Sequence, residues 1–222
     1  TRNKSESYNL VPDADIETEN YIRGILSARF PGHTILGEEG RHDIDLFSQS
    51  LWIIDPIDGT NNYVHGYPHY STSVAYAENG EVIVGAVFDP ERGELFSAYL
   101  GGGAFLNGSR IGVSETARLS ESLICTGFYY DRGEMMERTL DAIQRLFKQQ
   151  IHGIRRSGSA ALDLSWTALG RLDGFFEYDL GPWDYAAGAL ILKEAGGVLT
   201  GSDGSRLTLE TGHIAASTPG IH

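Results

Sequence analysis

The sequence is short of residues that several function classes need. It has one cysteine, Cys125, in 222 residues. No internal disulfide framework can form, which fits a reducing cytoplasm. No apolar run approaches the length that spans a bilayer, and no secretory leader is visible at Thr1. Neither a membrane partner nor an exported chain is therefore expected. Cations are scarce: 17 Lys and Arg face 30 Asp and Glu, for a formal net charge of −13. A field of that sign repels phosphate backbones, so no nucleic-acid partner is expected. It also opposes an anionic substrate, unless some carboxylates hold cations that reverse the local sign. Repeats, low-complexity segments and long linkers are missing too. A chain of this length buries a sizeable core in one large domain or two small, tightly packed ones.

What is present reads as alternating helices and strands. A helix is predicted over 15–30, with Ile22, Ile25, Leu26 and Phe30 as its apolar stripe and Pro31-Gly32 as its stop. Residues 33–36 predict a short strand running into Gly37-Glu38-Glu39-Gly40. The unbroken run Leu51-Trp52-Ile53-Ile54 predicts a central strand, buried on both faces and ending at Asp55. Strands over 71–77, 81–89 and 93–100, joined by Asn79-Gly80 and Glu91-Arg92-Gly93, predict an antiparallel meander. Character changes near residue 120. Strands are predicted over 123–126, 174–177, 198–200 and 213–216, and helices over 134–148, 158–169 and 184–195. Met136, Leu140, Ile143 and Phe147 mark an apolar face on the first of these helices. The expected class is α+β over residues 1–120 and α/β over 121–222.

The densest chemistry lies in Trp52-Ile53-Ile54-Asp55-Pro56-Ile57-Asp58-Gly59-Thr60. A buried strand delivers Asp55, and Asp58 follows a proline that is expected to force a turn. Carboxylates this close repel each other unless a cation bridges them. Oxygen donors suit Mg²⁺ or Mn²⁺ rather than zinc, for which there is no Cys/His cluster. The Ile57 carbonyl adds another oxygen. Gly59-Thr60-Asn61 then opens a short helix whose first N–H groups suit a phosphate, and Gly59 lets that backbone come close. The bland alternative is a plain turn, since Asp-Pro and Asp-Gly are everyday turn pairs. Six specified residues after an apolar strand make that the weaker reading.

Other positions are more ambiguous. Glu38-Glu39 alone reads as a solvated turn. Asp184, in Trp183-Asp184-Tyr185-Ala186-Ala187-Gly188, sits where a helix cap belongs, ahead of small residues that allow close packing. Cap and ligand both stay open for it. Asp15 also precedes a helix and reads as a cap. Arg155-Arg156 read as a surface or structural pair. Cys125 and the histidines read as structural, because no nucleophile or metal spacing joins them.

In order and spacing, these segments resemble the inositol monophosphatase family of Mg²⁺-dependent, lithium-sensitive phosphatases. Gly37-Glu38-Glu39, Trp52 through Thr60, and Trp183-Asp184-Tyr185-Ala186-Ala187-Gly188 match its three motifs; the stretch from Gly153 to Ala161 and Glu194-Ala195-Gly196-Gly197 also match. The likeness runs from about Lys4 to Ser217. It implies a layered α-β-α-β-α sandwich of the sugar-phosphatase type. It implies that Glu38, Asp55 and the Ile57 carbonyl hold one Mg²⁺, that Asp55, Asp58 and Asp184 hold a second, and that a third sits near Glu38. Mn²⁺ would substitute and Li⁺ inhibit. Asp15 would hydrogen-bond Thr60, and both with Glu38 would activate a water. Asp58, Gly59, Thr60, Ala160, Glu177 and Asp184 would contact a small phosphorylated polyol such as inositol 1-phosphate. Lys4 would lie in a loop near the metals. A cytoplasmic homodimer is implied. The family's helices before the Lys4 position and after the last strand have no counterpart in these residues.

Other substrates of the same superfamily are fructose 1,6-bisphosphate and 3′-phosphonucleotides. Thr60 through His65 and Arg156 through Ser159 look more like the inositol branch. A reading of another class is an accessory protein that binds transcription machinery; retained close-packed carboxylates argue against a role without catalysis.

Overall fold

A computed structural model describes residues 13–40, 43–128 and 132–222. Helix α1 (Asp13–Arg29) carries Asp13 and Asp15 in its first turn and Arg29 in its last, each matched to the helix dipole. Seven strands follow: β1 (Thr34–Gly37), β2 (Leu51–Asp58), β3 (Ser71–Glu78), β4 (Glu81–Asp89), β5 (Glu94–Tyr99), β6 (Gly103–Leu106) and β7 (Ser109–Arg110), with the short helix α2 (Thr60–Val64) between β2 and β3. They form one sheet in sequence order. β1 runs parallel to β2, and the other neighbours are antiparallel. Asn79 and Gly80 close the β3–β4 hairpin, both with positive φ, as a two-residue loop between twisted strands requires.

The second sheet takes β8 (Leu123–Thr126), β9 (Gly153–Arg155), β10 (Gly174–Glu177), β11 (Val198–Gly201) and β12 (Ile214–Ser217) in the order β11-β12-β10-β8-β9. Helix α3 (Glu134–Lys148) connects the parallel pair β8 and β9. Helices α4 (Ala160–Ala168) and α5 (Pro182–Glu194) pack on each other and against strands of both sheets, while α1 lies against β2. The result is a layered α/β sandwich of mixed sheets and helices. Its core brings Leu51, Ile53, Val87 and Phe96 from the first sheet against Leu162, Leu164, Tyr185, Ile191 and Leu192 of the two inner helices. Gly188 lets those helices touch: a Cβ there would stand 2.8 Å from Leu164 Cβ. No helix among the described residues is long and apolar enough to cross a membrane.

Three expectations need correction. The strand at Leu51 does not stop at Asp55 but runs to Asp58. Pro56 lacks the N–H that an interior ladder position supplies, and the chain answers with a bulge rather than a turn. Helix α5 begins at Pro182, so Asp184 is its third residue and not its cap. On α3, Met136 and Ile143 of the apolar face are half-buried, but Leu140 and Phe147 are 50% and 53% exposed, and the fully buried residue is Thr139. Its hydroxyl donates to the Met135 carbonyl at 2.9 Å, so burying it leaves no polar group unsatisfied.

Candidate active site

Two features of the first sheet bring carboxylates together. The bulge sets Asp55 opposite Ser73 and Asp58 opposite Ser71. Three steps on β2 thus match two on β3, and the extra residue turns both side chains to the same face; unbroken alternation would send them to opposite faces. The parallel pairing of β1 with β2 then continues one step further, as the Glu38 N–H donates to the Ile54 carbonyl at 3.2 Å. Glu38 therefore leaves β1 beside Asp55. Asp184 comes from the other half, in the first turn of α5. Its Oδ2 accepts the Gly181 N–H at 2.6 Å, which fixes the carboxylate toward the cluster. Oxygens of Asp55, Asp58 and Asp184 all lie within 4.8 Å of one another. Glu38 stands outside that tight set, but its charge is felt at Asp55.

The neighbours of these carboxylates differ. Asp58 is ringed by donors: Ser159 Oγ at 2.5 Å, Ala161 N–H at 2.8 Å and Ala160 N–H at 3.1 Å. Ser71 Oγ adds a long contact at 3.5 Å. The start of α4 thus spends its open N–H groups on a protein carboxylate. Asp55 Oδ1 and both Asp15 oxygens are buried without a hydrogen-bond partner. Burial, then the charges of Glu38, Asp58 and Asp184, hold Asp55 well above the ordinary carboxylate range. Burial and the Asp58 charge do the same for Asp184. Burial raises Asp58 to about 6 against the opposing hydrogen bonds from Ser159 and Ala161. Glu38 rises to about 8 by burial and the charges of Asp184 and Glu39. Asp15 rises to about 7 by burial and the Glu39 charge, with the nearby Thr60 hydroxyl pulling the other way.

Asp15 and the Thr60 hydroxyl are neighbours, close enough for that hydroxyl to pull the Asp15 carboxyl down against its net rise. The Thr60 hydroxyl has a single proton, and it donates to the Ile57 carbonyl at 3.1 Å. Asp15 itself sits inside the first turn of α1, fully buried, so it is not a solvated cap. Gly59 has a φ of 95°, and a Cβ there would stand 2.9 Å from the Gly158 carbonyl. Only glycine fits that crossing of the two halves. Glu177 ends β10, raised to about 8 by burial and by the charges of Asp163 and Asp58. The Arg156 charge opposes that shift, and its side chain is exposed. The Ala160 N–H is committed to Asp58. Burial pushes the Cys125 thiol up, in keeping with an inert side chain. Lys4 lies outside the described residues.

Ser159, Ser71, His69 and Asp163 were not singled out by their sequence context. A serine at a helix start reads as a cap, and Ser159 does precede α4, yet its hydroxyl serves Asp58 instead.

The Inositol monophosphatase family model matches residues 1–222. The chain belongs to the inositol monophosphatase family. It is 44% identical to "Inositol-1-monophosphatase" of Synechocystis sp., over 99% of this chain and 76% of that protein. It is 42% identical to "Putative Nus factor SuhB" of Neisseria meningitidis serogroup B, over 98% of this chain and 83% of that one. Among solved structures it is similar to the inositol monophosphatase of Anabaena, with a TM-score of 0.87 and 43% identity over 95% of this chain and 83% of that chain. As an inositol monophosphatase family member it is a phosphoric monoester hydrolase, in a metal-dependent family. An all-oxygen cluster with a buried, unpartnered Asp55 oxygen fits a hard cation.

Proposed function

We propose that this chain hydrolyses inositol 1-phosphate or a similar small polyol phosphate with Mg²⁺, and that the residues around Asp55 and Asp58 carry the reaction. The observation that carries this reading is the approach of oxygens of buried Asp55 and Asp58 and half-buried Asp184 to within 4.8 Å of one another. Glu38, Asp55, the Ile57 carbonyl, Asp58 and Asp184 would hold two or three Mg²⁺, with Mn²⁺ as a substitute. When bound, the ions would neutralise phosphoryl charge, acidify water and stabilise the leaving oxygen.

The chain's own groups do the rest. The Gly59–Thr60 backbone at the start of α2 suits a phosphate oxygen. The Thr60 hydroxyl orients the attacking water. Asp15 and Glu38 accept its proton. Glu177 and the Ala160 turn face the polyol hydroxyls. Asp58→Asn and Thr60→Ala should each abolish most turnover while the fold persists by circular dichroism; normal turnover in either variant sinks the assignment. Parallel assays with inositol 1-phosphate, fructose 1,6-bisphosphate and a 3′-phosphonucleotide decide the substrate, with inositol 1-phosphate expected to win. Li⁺ should inhibit, and light scattering should report a homodimer of a cytoplasmic protein.

A second reading follows from the relatives named Nus factor SuhB. The chain would then also bind transcription machinery. A pull-down with RNA polymerase components, set beside the phosphatase assay, separates the two roles.

A further inference from the structure

The chain leaves the first sheet at Asp58 and re-enters it at Ser71. Between them lie Gly59, Thr60 and α2; Arg92 holds the outer end of this excursion through the Pro68 carbonyl at 2.9 Å, and two further side chains tie it to the interior. Asn62 is one. Its Nδ2 donates to the His69 carbonyl at 2.6 Å, closing the excursion on itself, and to the Ser157 carbonyl at 2.8 Å, reaching the other half. His69 is the second. Its Nε2 pairs with Asp163 Oδ1 at 3.0 Å, and both side chains are buried. The Trp166 ring packs edge-on against His69, with centroids 4.8 Å apart.

Asp163 lies on α4 one turn beyond Ser159, and the start of that helix gives Asp58 its three close donors. One helix turn thus grips the end of β2 through Asp58 and the return of the excursion through His69. A buried carboxylate is costly unless paired, so the His69–Asp163 contact has a strong reason to stay closed.

We propose that Asn62 and the buried His69–Asp163 pair are positioning residues that fix the Gly59–Thr60 segment against the α4 turn holding Asp58. They set the spacing between the phosphate-binding backbone and the carboxylates without touching substrate. This rests on the phosphatase reading of the site.

The test compares Asn62→Ala, Asp163→Ala and Asp163→Asn with the parent protein. Three quantities are measured: kcat and KM for inositol 1-phosphate at saturating Mg²⁺, and amide hydrogen exchange of residues 59–66 in metal-free protein. A misplacement of about 1 Å costs on the order of 100-fold in rate, so both alanine variants should lose about 10- to 100-fold in kcat with KM nearly unchanged. Exchange over 59–66 should rise at least tenfold by the same loosening, roughly, while β3 and α5 amides stay protected. Asp163→Asn keeps a side-chain oxygen that can accept from His69 Nε2 and should recover most of the loss. Parent-like kcat in both alanine variants overturns the proposal. So does a loss of kcat with unchanged exchange over 59–66. If Asp163→Ala does not fold, the half-buried Asn62→Ala decides alone. A parent protein without Mg²⁺-dependent turnover would instead sink the phosphatase reading, and the exchange data would still decide the clamp.

Discussion

Asp55 and Asp58 sit on one strand, join one carboxylate cluster and are both buried, yet the protein treats them differently. Asp58 accepts three close hydrogen bonds from the start of α4. Asp55 has an oxygen with no hydrogen-bond partner among the described residues. The donors partly counter burial at Asp58, whose carboxyl rises only to about 6. Asp55 has no such relief from the chain and climbs well above the usual range. One carboxylate is therefore held in place by protein, and the other is left for an external charge. A site that must exchange cations needs both kinds: a fixed wall that sets geometry and an unsatisfied one that supplies affinity.

Neutralising the unsatisfied member should have the largest effect. Asp55→Asn should lower Mg²⁺-dependent turnover by on the order of 1,000-fold, since several kcal/mol of cation chemistry depend on it. The same variant should melt higher than the parent in the absence of metal at neutral pH, because it removes a carboxyl that must either take up a proton or carry a repelled charge on burial; a lower metal-free melting temperature would break the contrast with Asp58.

Next comes the satisfied wall. Ser159→Ala removes a donor from a buried carboxylate and should destabilise the metal-free protein by about 1–3 kcal/mol in urea unfolding. Asp55→Asn and Ser159→Ala should thus move stability in opposite directions.

A third effect is on pH dependence. Asp15, Glu38, Asp55, Asp58, Glu177 and Asp184 are all raised in the folded state. Each then holds its proton more tightly folded than unfolded. Between an unfolded value near about 4 and folded values of about 6 to 8, the folded state binds more protons. Stability of the metal-free protein must fall as pH rises through that window. Mg²⁺ should restore it at the alkaline end and add little at the acid end, as thermal melts with EDTA and with Mg²⁺ would report.

The smallest effect is expected away from the cluster. Glu177→Gln should raise KM for inositol 1-phosphate about 3- to 10-fold, the scale of one hydrogen bond, with half-saturating Mg²⁺ unchanged.

Much of this was legible before any fold was known. The bounds of β4, β8, α3 and β10 follow from alternation, helical period and Gly punctuation. The bulge was not legible: Pro56 signals a break in the ladder, and turn and bulge share that signal. The face of α3 misled in part: Met136 and Ile143 of its apolar stripe are half-buried, but Leu140 and Phe147 are exposed and the fully buried position is Thr139. Ser159, His69 and Asp163 were hidden for a related reason. A polar residue at a helix start or in a loop looks solvated until its partner is found, and theirs lie 101 positions away for Ser159 and Asp58, and 94 for His69 and Asp163.

By itself, the sequence determined the chemical character of the protein. Asp-Pro-Ile-Asp-Gly-Thr supplies oxygen donors and a glycine-led helix start within one short segment, and local covalent spacing guarantees that they stay together. Tertiary structure alone decided which carboxylates become partners. Asp184 reaches Asp55 only because α5 packs on the first sheet, and Asp58 is held only because α4 begins beside it. Covalent spacing brings neighbours together at any stage of folding, whereas meetings across such separations exist only once burial of a common core has met their entropy cost.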